Sequence, residues 1–143
     1  MPPADSLRLL ALDADDLAVM SAALQDAVTR IGDISWEKGQ RRLTIAFNRL
    51  RWEADRLPRE RVRSAIQLGC VISVKARNLR PEPKDAVLQL LAIAFDEGEA
   101  PAGAVRFAFA DGGDLVAEVE CVDAALADLS APWNTTHRPA HEG

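Results

Sequence analysis

Residues 41–53, "RRLTIAFNRLRWE", carry the clearest pattern in the chain. Leu43, Ile45 and Phe47 occupy every second position, and a period of two is typical of a strand with one buried face. The preceding segment, "ISWEKGQ" at residues 34–40, has the pattern of a shorter strand and a turn. The two segments together predict an antiparallel pair of strands joined by a tight connection.

The second half of this segment breaks the alternation. The next apolar residue after Phe47 is Leu50, which falls on the opposite phase. One extra residue at a β-bulge near Asn48 would let both side chains face the core. This interpretation turns Arg49 and Arg51 toward solvent.

Residues 61–77, "RVRSAIQLGCVISVKAR", predict one long strand with a single solvated face. The apolar face is interrupted only by Ser64. Gly69 in the middle predicts a bend or a close approach of another backbone. The solvated face carries the four cations Arg61, Arg63, Lys75 and Arg77.

The charge of the chain is unevenly distributed. Residues 38–84 hold thirteen basic and four acidic residues, a net charge of +9, although the whole chain has a net charge of −5. The flanking segments, residues 1–37 and 85–143, carry −5 and −9. The whole molecule is therefore not drawn to nucleic acid or to anionic membranes by its net charge, whereas its middle third is strongly basic.

Two interpretations of this basic segment compete. In the first, outward side chains of neighbouring strands form a patch that binds phosphates or carboxylates, and its candidate residues are Arg49, Arg51, Arg61, Arg63, Lys75 and Arg77. In the second, the same chain neutralises them, for example through Glu118 and Glu120 on a neighbouring strand. An acidic N-terminal helix or a partner subunit could also cover the patch. We favour neutralisation.

The remaining segments complete the predicted fold. An amphipathic helix begins after Asp13, its N-cap, and its apolar stripe runs from Leu17 to Ile31. Residues 86–95 are apolar on both faces, which indicates a covered central strand, although a buried helix has the same composition. Residues 104–121 predict a hairpin that turns at residues 111–114. Residues 122–130 predict a short C-terminal helix.

These elements predict an α+β fold. It consists of a single curved, mostly antiparallel sheet of about six to seven strands with an N-terminal amphipathic helix and a short C-terminal helix. A curved sheet closed by a C-terminal helix would be pleckstrin-homology-like. Residues 1–129 are predicted to form a single α+β domain, and residues 130–143, which are poor in apolar side chains, a disordered C-terminal tail.

Candidate catalytic and metal-binding groups are few. The two histidines, His137 and His141, lie in the predicted tail, so Ser-His and Cys-His arrangements are not expected in the domain. We predict no catalytic residues, no metal site and no cofactor. Cys70 and Cys121 lie in apolar segments, and buried thiols are favoured over a disulfide. The N-terminus lacks the features of a secretory signal, and no apolar segment is long enough to span a bilayer.

The segments "LALDADDLAVMSAALQDAV" and "FNRLRWE" resemble a bacterial family, domain of unknown function 2948, found mainly in alphaproteobacteria. The resemblance extends over roughly residues 7–129. It implies a small cytoplasmic protein and supplies no activity, cofactor or functional residue.

We therefore expect a cytoplasmic accessory or interaction protein without catalytic activity, acting as a homodimer or with a protein partner. The alternative is an anion- or nucleic-acid-binding module that uses the basic strands of residues 41–77. Nucleic acid is the less favoured ligand, because the segment lacks interleaved aromatic residues. No membrane association is expected.

Overall fold

The computed structural model describes residues 6–54 and 59–134, and within them the chain forms eleven β-strands and one α-helix. In chain order the elements are β1 (Arg8–Ala11), α1 (Ala14–Ala23), β2 (Val28–Arg30), β3 (Ile34–Glu37), β4 (Arg42–Leu50), β5 (Glu60–Leu68), β6 (Val71–Arg77), β7 (Val87–Glu97), β8 (Gly103–Phe109), β9 (Asp114–Val119), β10 (Ala124–Asp128) and β11 (Trp133–Asn134). The helix in this part of the chain is too short and too polar to cross a membrane.

All strand pairs are antiparallel, as predicted, but the predicted number of strands is too low. The order across the sheet is β1-β10-β5-β4-β2-β7-β8-β9-β6, with β3 also beside β4 and β11 beside β5. One hydrophobic core includes Ala11 on β1 and Val71 on β6, from the two ends of this order. The sheet therefore curves around a single core, which Leu17 and Met20 of α1 complete.

Strand β4 alternates without interruption. Leu43, Ile45, Phe47 and Arg49 are all buried, and the pairing with β5 continues in register from Leu43 to Leu50. The predicted bulge near residue 48 is wrong, and so is the outward orientation of Arg49. The strand keeps its phase and places an arginine on the core side.

The predicted long strand is two strands, β5 and β6. The expected bend at Gly69 is confirmed, and Cys70 follows it with a left-handed backbone, φ 56°. The alternation is disturbed at the start of β6, where Val71 is fully buried, Ile72 is 51% exposed and the pairing with β9 is irregular between Val71 and Ser73. Beyond this irregularity, Val74 and Ala76 pair with the buried Ala117 and Leu115, so the predicted phase is right for residues 74–77 and wrong for Val71 and Ile72.

Helix α1 is shorter than predicted. Asp13 is its N-cap, as expected, and accepts a hydrogen bond from the backbone N–H of Asp16 at 2.8 Å. The helix ends at Ala23, and a turn with Asp26 at φ 63° leads into β2. The apolar residues that follow the helix are explained by β2, which pairs with β4 on one side and with β7 on the other.

The predicted C-terminal helix is also wrong. Residues Ala124–Asp128 form β10, between β1 and β5, so the pleckstrin-homology-like alternative lacks its closing helix in the described residues. Part of the predicted tail is ordered, since Trp133 and Asn134 pair with β5. Residues 135–143, with both histidines, lie outside the described residues.

Strand β7 is a strand but is not covered on both faces. Val87 is 60% exposed and Leu91 is 50% exposed. The opposite side carries the buried Leu90 and Ile93. The hairpin of β8 and β9 is confirmed, with its turn at residues 110–113.

Candidate functional site

The six cations predicted to bind anions lie in three different environments. Arg49 and Arg51 are buried, Arg61 and Arg63 lie on β5, and Lys75 and Arg77 lie on β6. Because β5 and β6 are separated in the sheet by five strands, the structure does not place these residues on one continuous row of neighbouring strands.

Arg49 is the centre of a buried ion cluster. Its side chain is 0% exposed, and that of Asp128 is 3% exposed. Arg49 Nε donates to Asp128 Oδ1 at 3.0 Å, and Nη2 donates to Asp128 Oδ2 at 2.9 Å. This two-point contact joins β4 to β10, although β5 lies between the two strands. Such a fork-to-fork geometry fixes the orientation of both groups.

Glu53 approaches the same guanidinium from the other side. Its Oε1 accepts from Arg49 Nη1 at 2.9 Å and its Oε2 accepts from Nη2 at 2.8 Å. The Leu50 carbonyl accepts a further bond from Nη1, at 3.1 Å, and Ser64 Oγ accepts one from Nε, also at 3.1 Å. The five N–H groups of Arg49 therefore have enough acceptors, which is the condition for burying a charge.

The Asp128 carboxylate is held equally well. Ser64 donates its hydroxyl proton to Oδ1 at 2.7 Å, and the backbone N–H of Leu7 donates to Oδ2 at 2.8 Å. Burial alone would raise the pKa of Asp128, but the hydrogen bonds from Arg49, Ser64 and Leu7 outweigh it and the pKa is lowered. The cluster thus ties the N-terminal strand, β4, β5 and β10 together.

Arg51 extends the cluster toward the surface. It forms an ion pair with Glu60 and lies 3.9 Å from Glu53 Oε2. Burial works to raise the pKa of Glu53, and hydrogen bonding to Arg49 is the strongest of the effects that lower it. Glu53 therefore stays ionised between two arginines, and neither Arg49 nor Arg51 is presented to solvent.

The two remaining pairs of cations are partly neutralised. Arg63 Nη2 lies 3.1 Å from Asp33 Oδ1, and Arg61 Nη1 donates to the Asn48 carbonyl at 3.0 Å. Arg77 makes a two-point contact with Asp114, at 2.8 and 2.6 Å. Lys75 is exposed and makes no ion pair with any described residue.

Lys75 and Arg77 line an open groove of about 540 Å³ on the outer face of β6, β9 and β8. Arg106 and Asp96 line the same groove, and their side chains are 3.7 Å apart. Of the two predicted acidic partners, Glu120 pairs with Arg41 at 2.8 Å and Glu118 accepts from Ser73 at 2.7 Å. Glu120 therefore neutralises a different arginine, Glu118 makes no ion pair with a described residue, and the cations of β6 are only partly neutralised.

The outer face of the other half of the sheet is unusual in composition. Ala127, Ala65 and Ala46 stand side by side on β10, β5 and β4, and Ala125 and Leu10 lie one step further along. Thr44 and Gln67 complete that second row. We call Leu10, Ala46, Ala65, Ala125 and Ala127 the alanine face. An antiparallel sheet ordinarily carries polar residues on its solvent side.

Opposite charges flank the alanine face. Arg8 is exposed opposite Ala127 and makes no ion pair with a described residue. Asp123 is exposed at the other end of β10, where its carboxylate lies beside Gly69. Leu10, within the alanine face, is 78% exposed, and Leu129, two residues after Ala127, is 61% exposed.

Sequence reasoning missed the partners of Arg49. Ser64 was a usable signal, since it is the one buried polar residue of β5. Asp128 was not recognised as a partner of Arg49 because its segment was predicted to form a helix. In the part of the chain that the structure describes, no group of three or more His, Cys, Asp or Glu residues is arranged to hold a metal.

Comparison with known proteins identifies a family without assigning an activity. No curated protein and no solved structure matches the chain. A family model described as a protein of unknown function, DUF2948, matches residues 7–141. Since this match extends over nearly all of the sequence, the chain belongs to the DUF2948 family, as the sequence resemblance predicted.

Proposed function

We propose that this chain is a non-catalytic cytoplasmic accessory protein that associates with a second copy of itself through the alanine face. The observation that carries the proposal is the replacement of solvating side chains by Ala46, Ala65, Ala125 and Ala127 at the centre of an outer sheet face. Small apolar side chains let two sheets approach closely, and sheets pack face to face at about 10 Å.

A second copy is the partner that best fits this surface. In a two-fold contact the same patch is used twice, so it must be self-complementary in shape and charge. The alanine face is flanked by Arg8 at one end and Asp123 at the other. These positions are separated along β10 by the four residue steps from Asp123 to Ala127, about 13 Å at the usual strand rise.

An antiparallel arrangement of two copies then brings opposite charges together. A two-fold axis near Ala125 would place Arg8 of each copy close to Asp123 of the other. The exposed Leu10 and Leu129 would be covered in the same contact. Sedimentation equilibrium of the full chain tests the proposal, which requires a dimer and fails if the chain is monomeric.

A second candidate function is the binding of a small anion in the groove of β6, β9 and β8. Lys75, Arg77 and Arg106 line it, and Lys75 is free of ion pairs with described residues. This candidate uses only Lys75 and Arg77 of the six residues expected from sequence. Titration with inorganic phosphate, followed by the backbone amide signals of Lys75 and Arg106, tests it. Shifts abolished by Lys75→Ala would support anion binding, and unshifted signals would contradict it.

A further inference from the structure

Cys70 and Cys121 meet where two strand connections cross. Cys70 lies between β5 and β6, and Cys121 lies between β9 and β10. The backbone N–H of Glu120 donates to the Cys70 carbonyl at 3.0 Å, and that of Gly69 donates to the Asp123 carbonyl at 2.8 Å. These two hydrogen bonds hold the connections against each other, so the cysteines are brought together by the fold.

The two thiols are free and partly exposed. Interaction with the neighbouring Cys121 side chain is the largest of the effects that raise the pKa of Cys70. Burial and the negative charges of Asp123 and Glu120 act in the same direction. This exposure corrects the sequence-based expectation that both thiols are buried. Because the thiolate is the reactive form, Cys70 is poorly suited to the first attack on an external disulfide.

Cys121 has access to an external reactant. It lines a cavity of about 550 Å³ together with Leu12 and Phe95. Three carboxylates, those of Asp13, Asp15 and Glu97, also line this cavity. A positively charged reactant is therefore attracted to Cys121, and a negatively charged one is repelled.

We propose that Cys70 and Cys121 form a reversible intramolecular disulfide by exchange with a cationic low-molecular-weight disulfide. The Cys121 thiolate attacks one sulfur of that disulfide, which releases one small thiol and leaves a mixed disulfide on Cys121. The Cys70 thiolate then attacks the Cys121 sulfur and releases the second small thiol. The two cysteines are oxidised by two electrons in total, and the small disulfide is reduced by the same two.

The test treats the folded, fully reduced chain with cystamine or with oxidised glutathione, which are cationic and anionic probes of the same chemistry. Peptide mapping after alkylation is expected to find Cys70 linked to Cys121, with cystamine reacting roughly tenfold faster. Cys70→Ser should instead accumulate one cysteamine adduct on Cys121. The double variant Asp15→Asn, Glu97→Gln should reduce the difference between the rates of reaction with cystamine and with oxidised glutathione. The control variant Glu82→Gln, outside the cavity, should leave that difference unchanged.

Several outcomes would overturn this inference. Separate adducts on both cysteines of the wild-type chain would show that the thiols do not reach each other. Unmodified cysteines after prolonged treatment, or a link between two chains, would contradict it equally. Equal rates with the two probes would refute the role of the carboxylates. The wild-type mapping decides the matter even if Cys70→Ser does not fold.

Discussion

Arg49 Nη2 and Asp128 Oδ2 are 2.9 Å apart in a site that excludes nearly all solvent from both side chains. The two residues are separated by 79 positions in sequence. Their contact, together with Glu53 and Ser64, fixes β4 relative to β10 and to the N-terminal strand. The most conspicuous arginine of the basic segment is thereby a structural residue.

Removing Arg49 should strongly destabilise the protein. Arg49→Met keeps the apolar stem but leaves Asp128 buried without its cation, which typically costs about 3–5 kcal/mol. Urea unfolding measures the loss. Arg42→Met is the matched control, because the Arg42–Glu37 pair is partly exposed and its removal should matter much less. Equal losses in the two variants would contradict a special role for the buried cluster.

The same cluster should make the free energy of unfolding depend on pH in the acidic range. The pKa values of Asp128 and Glu53 are lowered in the folded chain from their ordinary values of 3.8 and 4.5. Their contribution is therefore fully present above about pH 5 and is lost as the pH falls through the lower folded-state values. Unfolding free energies measured at a series of pH values from neutral down to about pH 3 should fall accordingly.

Asp128→Asn isolates the part of this acid dependence that belongs to Asp128. The variant lacks the titrating carboxyl, so its free energy of unfolding should start lower and change less between neutral pH and about pH 3. A variant that loses stability in acid as steeply as the wild-type chain would show that folding does not lower the pKa of Asp128.

The sequence contains part of this result. The alternation of Leu43, Ile45 and Phe47 extends without a break to Arg49, and Ser64 is a polar gap on the facing strand. We predicted a bulge because charged side chains ordinarily avoid the core. That reasoning did not consider a partner from a remote part of the chain. Asp128 could supply the compensating charge only after its segment had been recognised as a strand. The spacing of residues within one strand therefore does not reveal that a charged side chain is buried beside a partner from a remote strand.

The hairpin and the C-terminal segment show the same division between local and remote information. The hairpin of β8 and β9 follows from its own turn residues, Asp111 and Gly112. Residues Ala124–Asp128 contain three alanines, which favour a helix in isolation. They form a strand because β1 and β5 pair with them on both sides. Such tertiary pairing overrides local propensity.

A charge exchange tests the proposed arrangement of the two copies. Arg8→Glu should weaken the dimer, because it places like charges opposite each other at both ends of the contact. Adding Asp123→Arg should restore association by reversing both members of each pair. Dissociation constants from sedimentation at low and high salt measure both effects, and screening should reduce the difference between the variants. If the double variant associates no better than Arg8→Glu alone, Arg8 and Asp123 do not face each other.

Sedimentation equilibrium of the wild-type chain, Ala65→Glu and Ala94→Glu tests self-association through the alanine face most directly. Ala65 lies at the centre of that face, whereas Ala94 lies outward on β7 opposite Arg106, where a glutamate has a cationic neighbour. We predict a dimer for the wild-type chain and for Ala94→Glu, and a monomer for Ala65→Glu. A monomeric wild-type chain, or an Ala65→Glu variant that dimerises as tightly as Ala94→Glu, would contradict self-association through the alanine face.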